Sequence, residues 1–548
     1  MCFPGWADPA LFSSLIGGVG GYAVTPIGSS YVWGGYYEEG SLIWRSRWVT
    51  QTGIIESREA LALPGRLDTA VVARRVICQQ GDARVRVVLE PSSDFGKHKM
   101  VDLSRDDQGV WTARCGKTYL RWTGAAEARV EDAALVAEIT IPEGGSHDLV
   151  LEFSNVKIVD DPPDPDQVWS ATETAWSHAA PSQLTTVAER DVRHAYAVLR
   201  GLTSSNGGMV AAATMSLPER ADAGRNYDYR YAWIRDQCMT GESLAVHGPD
   251  ALIDSAVDFV TDRLLADGPH LKPAYRVGGG PVPDESRLDL PGYPGSIDIV
   301  GNRVNKQFQL DAYGESLLLF AAAGRMDRLG PEHWQAVQVA VDALAERRND
   351  PEAGIWELSP TTRWTHSQLI GVAGLRSIAA LAPAADGARW LSLAESMVAE
   401  ASKDCLHPDG RWQRAPDDDR VDAALLLPIL RGGVPIDDPR SSATVQAVLL
   451  ELCSEHFAYR FRHDPRPLSE AEGAFLLCGF HVSLALGQRG DIVEAARWFE
   501  RNRSACGPPG LLTEEFDVVQ RQMRGNLPQA FVHATLVEAA HALAAEGD

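Results

Sequence analysis

Val159-Asp-Asp-Pro-Pro-Asp-Pro-Asp166 divides a chain of 548 residues into two textures. Three prolines and four aspartates in eight residues leave little that could pack, so the stretch predicts a linker, drawn over 159–186. On its N-terminal side the apolar runs are short and β-rich: Ser30-Tyr-Val-Trp33, Arg84-Val-Arg-Val-Val-Leu89, Leu135-Val-Ala-Glu-Ile-Thr-Ile141 and Asp148-Leu-Val-Leu-Glu-Phe153. Several alternate and are separated by Gly, Pro, Asp and Ser, which predicts an antiparallel β-sandwich over 1–158. On its C-terminal side the period changes to about 3.6, and twelve amphipathic stretches follow between roughly 185 and 546. Their pairing predicts an all-α domain over 187–548 built from six helical hairpins. With no repeat of fixed length in the sequence, a closed (α/α)6 barrel is favoured over an open solenoid.

Charge narrows the partners. Lys and Arg number 51 and Asp and Glu 74, a formal net charge of −23. Nucleic acids and anionic lipid surfaces need clustered cations, so both are excluded as expected partners, and a small neutral molecule remains. No run of about 18 apolar residues suggests a membrane span, and the start shows no basic, then apolar leader. A cytoplasmic protein is expected. The eight cysteines include no CxxC pair and read as free thiols, and the histidines are not spaced as metal ligands. No cofactor is expected either. Val277-Gly-Gly-Gly280 and Gly17-Gly-Val-Gly-Gly21 lack the residues and the βαβ context of a nucleotide loop, and Thr203-Ser-Ser205 lacks a nucleophile elbow.

The loops between the predicted helices carry the chemistry. Gly224-Arg-Asn-Tyr-Asp-Tyr-Arg-Tyr-Ala-Trp-Ile-Arg-Asp236 holds three Tyr, one Trp, three Arg and two Asp. Aromatic faces stack on the C–H faces of a pyranose, while Arg and Asp make charged hydrogen bonds to its hydroxyls. The same residues could equally form a structural network at a helix start. In Asp350-Pro-Glu-Ala-Gly-Ile-Trp-Glu-Leu358, a carboxyl beside the Trp356 indole would be partly desolvated, as a general acid requires. In Leu511-Leu-Thr-Glu-Glu-Phe516, two carboxylates lie between apolar residues. Glu357 with Glu514 or Glu515 therefore matches the paired carboxylates of glycoside hydrolysis.

These blocks, together with Cys2-Phe-Pro-Gly-Trp-Ala-Asp-Pro9, Ser216-Leu-Pro-Glu219, Glu472-Gly-Ala-Phe475 and Gly525-Asn-Leu-Pro-Gln-Ala-Phe531, resemble glycoside hydrolase family 15 in its bacterial glucoamylase, isomaltose-cleaving and trehalase branch. The resemblance implies a β-sandwich joined to an (α/α)6 barrel. It places the general acid on Glu357 and the general base on Glu514, with Glu515 the alternative. Arg235 and Asp236 would grip the non-reducing glucose, Tyr231, Trp233 and Trp356 would line its subsite, and Arg462 would be a further sugar-binding arginine. The implied mechanism is inverting, with a raised pKa on the acid, a low one on the base, and the carboxyls roughly 6.5–9.5 Å apart. The leading expectation is an exo-acting α-glucosidase releasing β-glucose from short isomalto- or malto-oligosaccharides, with α,α-trehalase the alternative. His481 and Arg363-Trp-Thr-His366 depart from many relatives.

Overall fold

The computed structural model describes residues 1–28, 30–463 and 465–545. Two compact units emerge: Met1–Ala180 with Arg287–Asp298 and Pro508–Gly510, and Pro181–Ser286 with Ile299–Gly507 and Leu511–Asp548.

The first unit contains two antiparallel sheets. One has four strands in the order Gly21–Pro26, Ala83–Glu90, Ala134–Ile141, Arg129–Glu131; the other has eight, running from Tyr31–Tyr37 at one edge to Met100–Arg105 at the other. Period-two alternation sends Ala83, Val85, Val87 and Leu89 into the core and Arg84 and Arg86 outward. Val76, Cys78, Trp122, Leu149, Leu151 and Phe153 of the larger sheet join the same apolar cluster.

The segment expected to be a linker contains a helix, Pro165–Ser177. The residues that read as breakers begin it: Asp164 is the N-cap, accepting from the Asp166 amide at 2.9 Å, and Pro165 occupies the first turn, where its missing N–H is no loss. Trp169, Thr172 and Trp176 form its buried face. It packs on the larger sheet through an Asp166–Arg75 ion pair at 2.6 Å and a hydrogen bond from Trp169 Nε1 to Asp148 at 3.1 Å. Regular structure is absent only from 159–164 and 178–188 of this stretch.

The second unit is helical. Six helices form a cycle of neighbours: Ile234–Leu244, Asp311–Gly324, Thr365–Ala379, Leu426–Leu430, Leu476–Gln488 and Ala530–Ala545, each against the next and the last against the first. Most are apolar nearly all round, as helices buried on every side must be; Leu476–Gly487 is buried without a break. Six more, Glu189–Leu202, Ala251–Asp267, Pro331–Arg347, Ala384–Asp404, Pro439–Glu451 and Ile492–Arg503, each pack outside one of the cycle. The expected helices are all present. No described helix is long and apolar enough to cross a membrane. No disulfide joins any of the eight cysteines among the described residues.

Candidate active site

Glu357 ends a tight turn. Its amide donates to Gly354 O at 3.1 Å, the Leu358 amide donates to Ala353 O at 2.8 Å, and Glu357 itself has φ +55°. A left-handed glutamate is uncommon, and such strain concentrates where a side chain must be aimed. Gly354, at φ +68°, cannot carry a side chain, because a Cβ would lie 2.5 Å from the Trp364 ring. Glu352 Oε2 secures the turn by accepting the Gly354 amide at 2.7 Å. Burial, and then the nearby Asp311 carboxylate, push Glu352 up to about 8, so it is neutral at pH 7.

The Glu357 carboxyl accepts from Trp233 Nε1 at 2.7 Å on Oε1 and from Gln307 Nε2 at 3.2 Å on Oε2. Arg235 Nη2 stands 4.0 Å from Oε1. Trp233 is fixed by a two-residue strand pair with Ala274–Tyr275 and leads directly into the helix Ile234–Leu244. That places Arg235 and Asp236 in a buried first turn. Arg235 donates to Ile355 O at 2.8 Å and to Asp236 at 3.3 Å, which ties helix and acid turn together. Burial pushes Asp236 up to about 6 against the pull of Arg235, and Asp236 Oδ1 has no hydrogen-bond partner among the described residues. Asp311, also buried and raised to about 6 by that burial, makes no hydrogen bond of normal geometry through either oxygen.

The late carboxylate pair lies at the start of the strand Glu515–Asp517, between Ala474–Phe475 and Gln522–Arg524. Alternation turns the two side chains apart. Glu515 is fully buried and engaged on both oxygens, by Arg225 at 2.5 Å and the Gly473 amide at 2.8 Å. Glu514 is partly exposed; its Oε2 accepts from Tyr229 Oη at 2.9 Å, and no hydrogen bond among the described residues reaches Oε1. Burial and then the Glu219 carboxylate push Glu514 up to about 8, against Arg460, Tyr229 and Arg235. This corrects the low pKa expected of the base.

Three further expectations change. The indole bonded to Glu357 belongs to Trp233; Trp356 instead donates to Asp422 at 2.8 Å and packs edge-on against Phe475 at 5.6 Å. Tyr231 is buried with its hydroxyl on Asp228 at 3.2 Å, inside a scaffold formed with Arg230 and the Gly301 amide. Tyr229, rather than Tyr231, stands beside Trp233, stacked on Tyr227 and edge-on to the Trp233 ring. Arg462 is exposed, whereas the Arg460 side chain is only 13% exposed, bonded to Glu472 at 2.6 Å and 4.2 Å from the Phe475 ring centroid. Sequence reasoning also missed Gln307 and Glu219. Glu219 stands in a quoted block, but nothing in its spacing, or in that of Gln307, distinguishes it. His366 lines a small hollow with Ile355, Trp356, Trp364, Arg414 and Asp422.

The model for glycosyl hydrolases family 15 matches residues 193–541, which include every residue of this site. The chain belongs to glycosyl hydrolase family 15. It is 28% identical to a trehalase of Mycolicibacterium smegmatis, over 100% of this chain and 88% of that one. It is also 28% identical to trehalase 1 of Sulfolobus acidocaldarius, over 63% and 62% of the two chains. Among solved structures, a bacterial glucoamylase in complex with acarbose superposes with a TM-score of 0.70 at 13% identity, covering 96% of this chain and 88% of that one. A wild-type glycosidase superposes with a TM-score of 0.53 at 22% identity, covering 64% and 96%. This family 15 chain is therefore a glycoside hydrolase with a glucoamylase-like fold.

Proposed function

We propose that the chain hydrolyses the α-glucosidic bond of a non-reducing terminal glucose with inversion, using Glu357 as general acid and Glu514 as general base. The observation that carries this is that the two carboxyls are held from one segment, Trp233 donating to Glu357 and Tyr229 to Glu514, with Trp233 and Tyr229 themselves in contact. Glu357 gives its proton to the glycosidic oxygen as the bond to the anomeric carbon breaks. Glu514 takes a proton from the water that attacks the opposite face, and β-glucose leaves. Glu515, bonded on both oxygens, is a poor rival for the base. Arg235 and Asp236 bind the glucose hydroxyls, and the unpartnered Asp236 Oδ1 is suited to accept one. Trp356 forms part of the subsite wall, and the cycle of six helices with its outer six is read as the (α/α)6 barrel of the family.

Two substrates share this machinery. The full-length relatives are named trehalases, which supports α,α-trehalose over the isomalto- and malto-oligosaccharides expected first. Proton NMR in the first minutes after mixing separates them. Inverting cleavage of trehalose releases α- and β-glucose in equal amounts, one from each side of the bond. Isomaltose or maltose cleaved in the same way gives β-glucose from the non-reducing side only. Formation of α-glucose from that side would overturn inversion, and no release from any of the three would overturn the substrate class.

A further inference from the structure

The base side gathers more carboxyl groups than cations. Glu219, Glu472, Glu514 and Glu515 surround Arg225 and Arg460, four carboxylates to two guanidiniums. Arg225 Nη2 bridges Glu219 Oε2 at 2.6 Å and Glu515 Oε1 at 2.5 Å. Arg460 is committed to Glu472, which also accepts from His463 at 3.0 Å. Against burial, Arg460 and His463 pull Glu472 down to about 2. That leaves Glu514 without an ion-pair partner of its own, with Arg235 facing it from the helix start and Glu357 acting from the acid turn on the tyrosine between.

The tyrosine is the key group. Tyr229 Oη lies 2.9 Å from Glu514 Oε2 and 3.3 Å from Glu219 Oε1. A phenol has one proton to donate and cannot satisfy two carboxylates at once. Glu219 is nearly fully buried and held rigidly: its amide donates to Arg225 O at 2.9 Å, and the Gly525 amide donates to Pro218 O at 3.0 Å. Gly525 lies so close that a Cβ there would sit 3.1 Å from Glu219 Cγ. Glu219 therefore cannot retreat from the hydroxyl.

We propose that Glu219 is a positioning residue for the base: it competes with Glu514 for the single proton of Tyr229 and so withholds from the base a donor that would otherwise be its own. The inference rests on the assignment of Glu514 as base. Its consequence is a stronger base, because a carboxylate that binds protons more tightly takes one from water more readily, at the cost of ionising at higher pH. The upward shift of Glu514, with Glu219 the largest contributor after burial, agrees.

The test reads Glu514 directly. The protein is labelled with [δ-13C]glutamate, and the Glu514 resonance is assigned by its loss in Glu514→Gln and followed from pH 4 to 10. In Glu219→Gln the titration should move down by about one pH unit, as removal of a like charge dictates. In Tyr229→Phe, which keeps every charge and loses only the donor, it should move up. Opposite signs are not expected of two merely structural substitutions. Should Glu219→Gln fail to fold, Glu219→Asp keeps the Arg225 pair and withdraws the carboxylate by one methylene, giving a smaller downward shift. An unmoved titration in either Glu219 variant overturns the proposal. The acidic limb of kcat/KM on the best α-glucoside should follow the resonance. If the resonance moves while no α-glucoside is turned over, the proton competition stands and the assigned reaction falls.

Discussion

The two carboxyls proposed for catalysis are held by different means. Glu357 stands on a strained loop residue and is approached by neutral donors, an indole N–H and an amide, with Arg235 at 4.0 Å. Glu514 leads into a strand and is approached by one phenol, inside a cluster of carboxylates and arginines. Neutral donors orient a carboxyl without supplying a full opposing charge. On the base side, every charge is coupled to several others in a medium of low effective dielectric. The acid is set by geometry and the base by charge balance.

That contrast is tested first by removing the groups themselves. Glu357→Gln and Glu514→Gln should each lower kcat by about 10²–10⁴, the usual contribution of a positioned acid or base, measured by NMR release of glucose with folding checked by circular dichroism. Retention of more than a tenth of the activity by either variant would remove its residue from the proposed role.

Next comes the charge balance. Arg460→Met leaves Glu472 buried with only His463 beside it, so it should cost about 3–5 kcal/mol of stability in denaturant unfolding. Arg462→Ala, two residues on and exposed, should change stability by less than about 0.5 kcal/mol and kcat by less than about twofold. A larger effect at Arg462 than at Arg460 would reverse the assignment made from burial. On the acid side, Trp233→Phe deletes the N–H together with the five-membered ring of a buried indole. Loss of the hydrogen bond to the Glu357 carboxyl should lower kcat/KM by about 10–100-fold, with about 1–3 kcal/mol lost in unfolding from the space the smaller ring leaves.

Much of this architecture is legible in the order of the residues. The change of period separates the β and α halves, and the blocks containing Glu357, Arg235, Asp236 and Glu514 point to one neighbourhood. The misreadings share a cause: spacing along the chain does not say which way a loop side chain turns. A bend at Tyr231 breaks the extended run from Tyr227, so Tyr229 reaches Glu514 and Tyr231 enters the core. Arg460 and Arg462 lie in one irregular segment, where only burial separates them. Composition alone makes 159–166 a linker, although Asp164 and Pro165 are also what a helix start requires. Glu219 is invisible in the sequence because its importance comes from Tyr229 and Arg225, which only the fold brings against it.

The smallest effect concerns Asp311, in the first turn of a buried helix on the acid side. Burial raises it to about 6, and Arg235 recovers only part of that. A carboxylate whose folded pKa lies above its unfolded value of 3.8 destabilises the fold when ionised. The cost is absent below pH 3.8, grows as pH rises, and is complete above about 6. Asp311→Asn removes the charge while keeping the shape. It should therefore stabilise the protein at pH 7 by about 1–2 kcal/mol, less than the full shift implies, because Arg235 loses a neighbour. At pH 4 the same substitution should be nearly neutral. Denaturant unfolding of wild type and variant at both values decides it. Equal gains at pH 4 and pH 7 would mean that packing rather than charge is responsible, and the acid side would then lack the buried, uncompensated carboxylate that sets it apart from the arginine-paired carboxylates around Glu514.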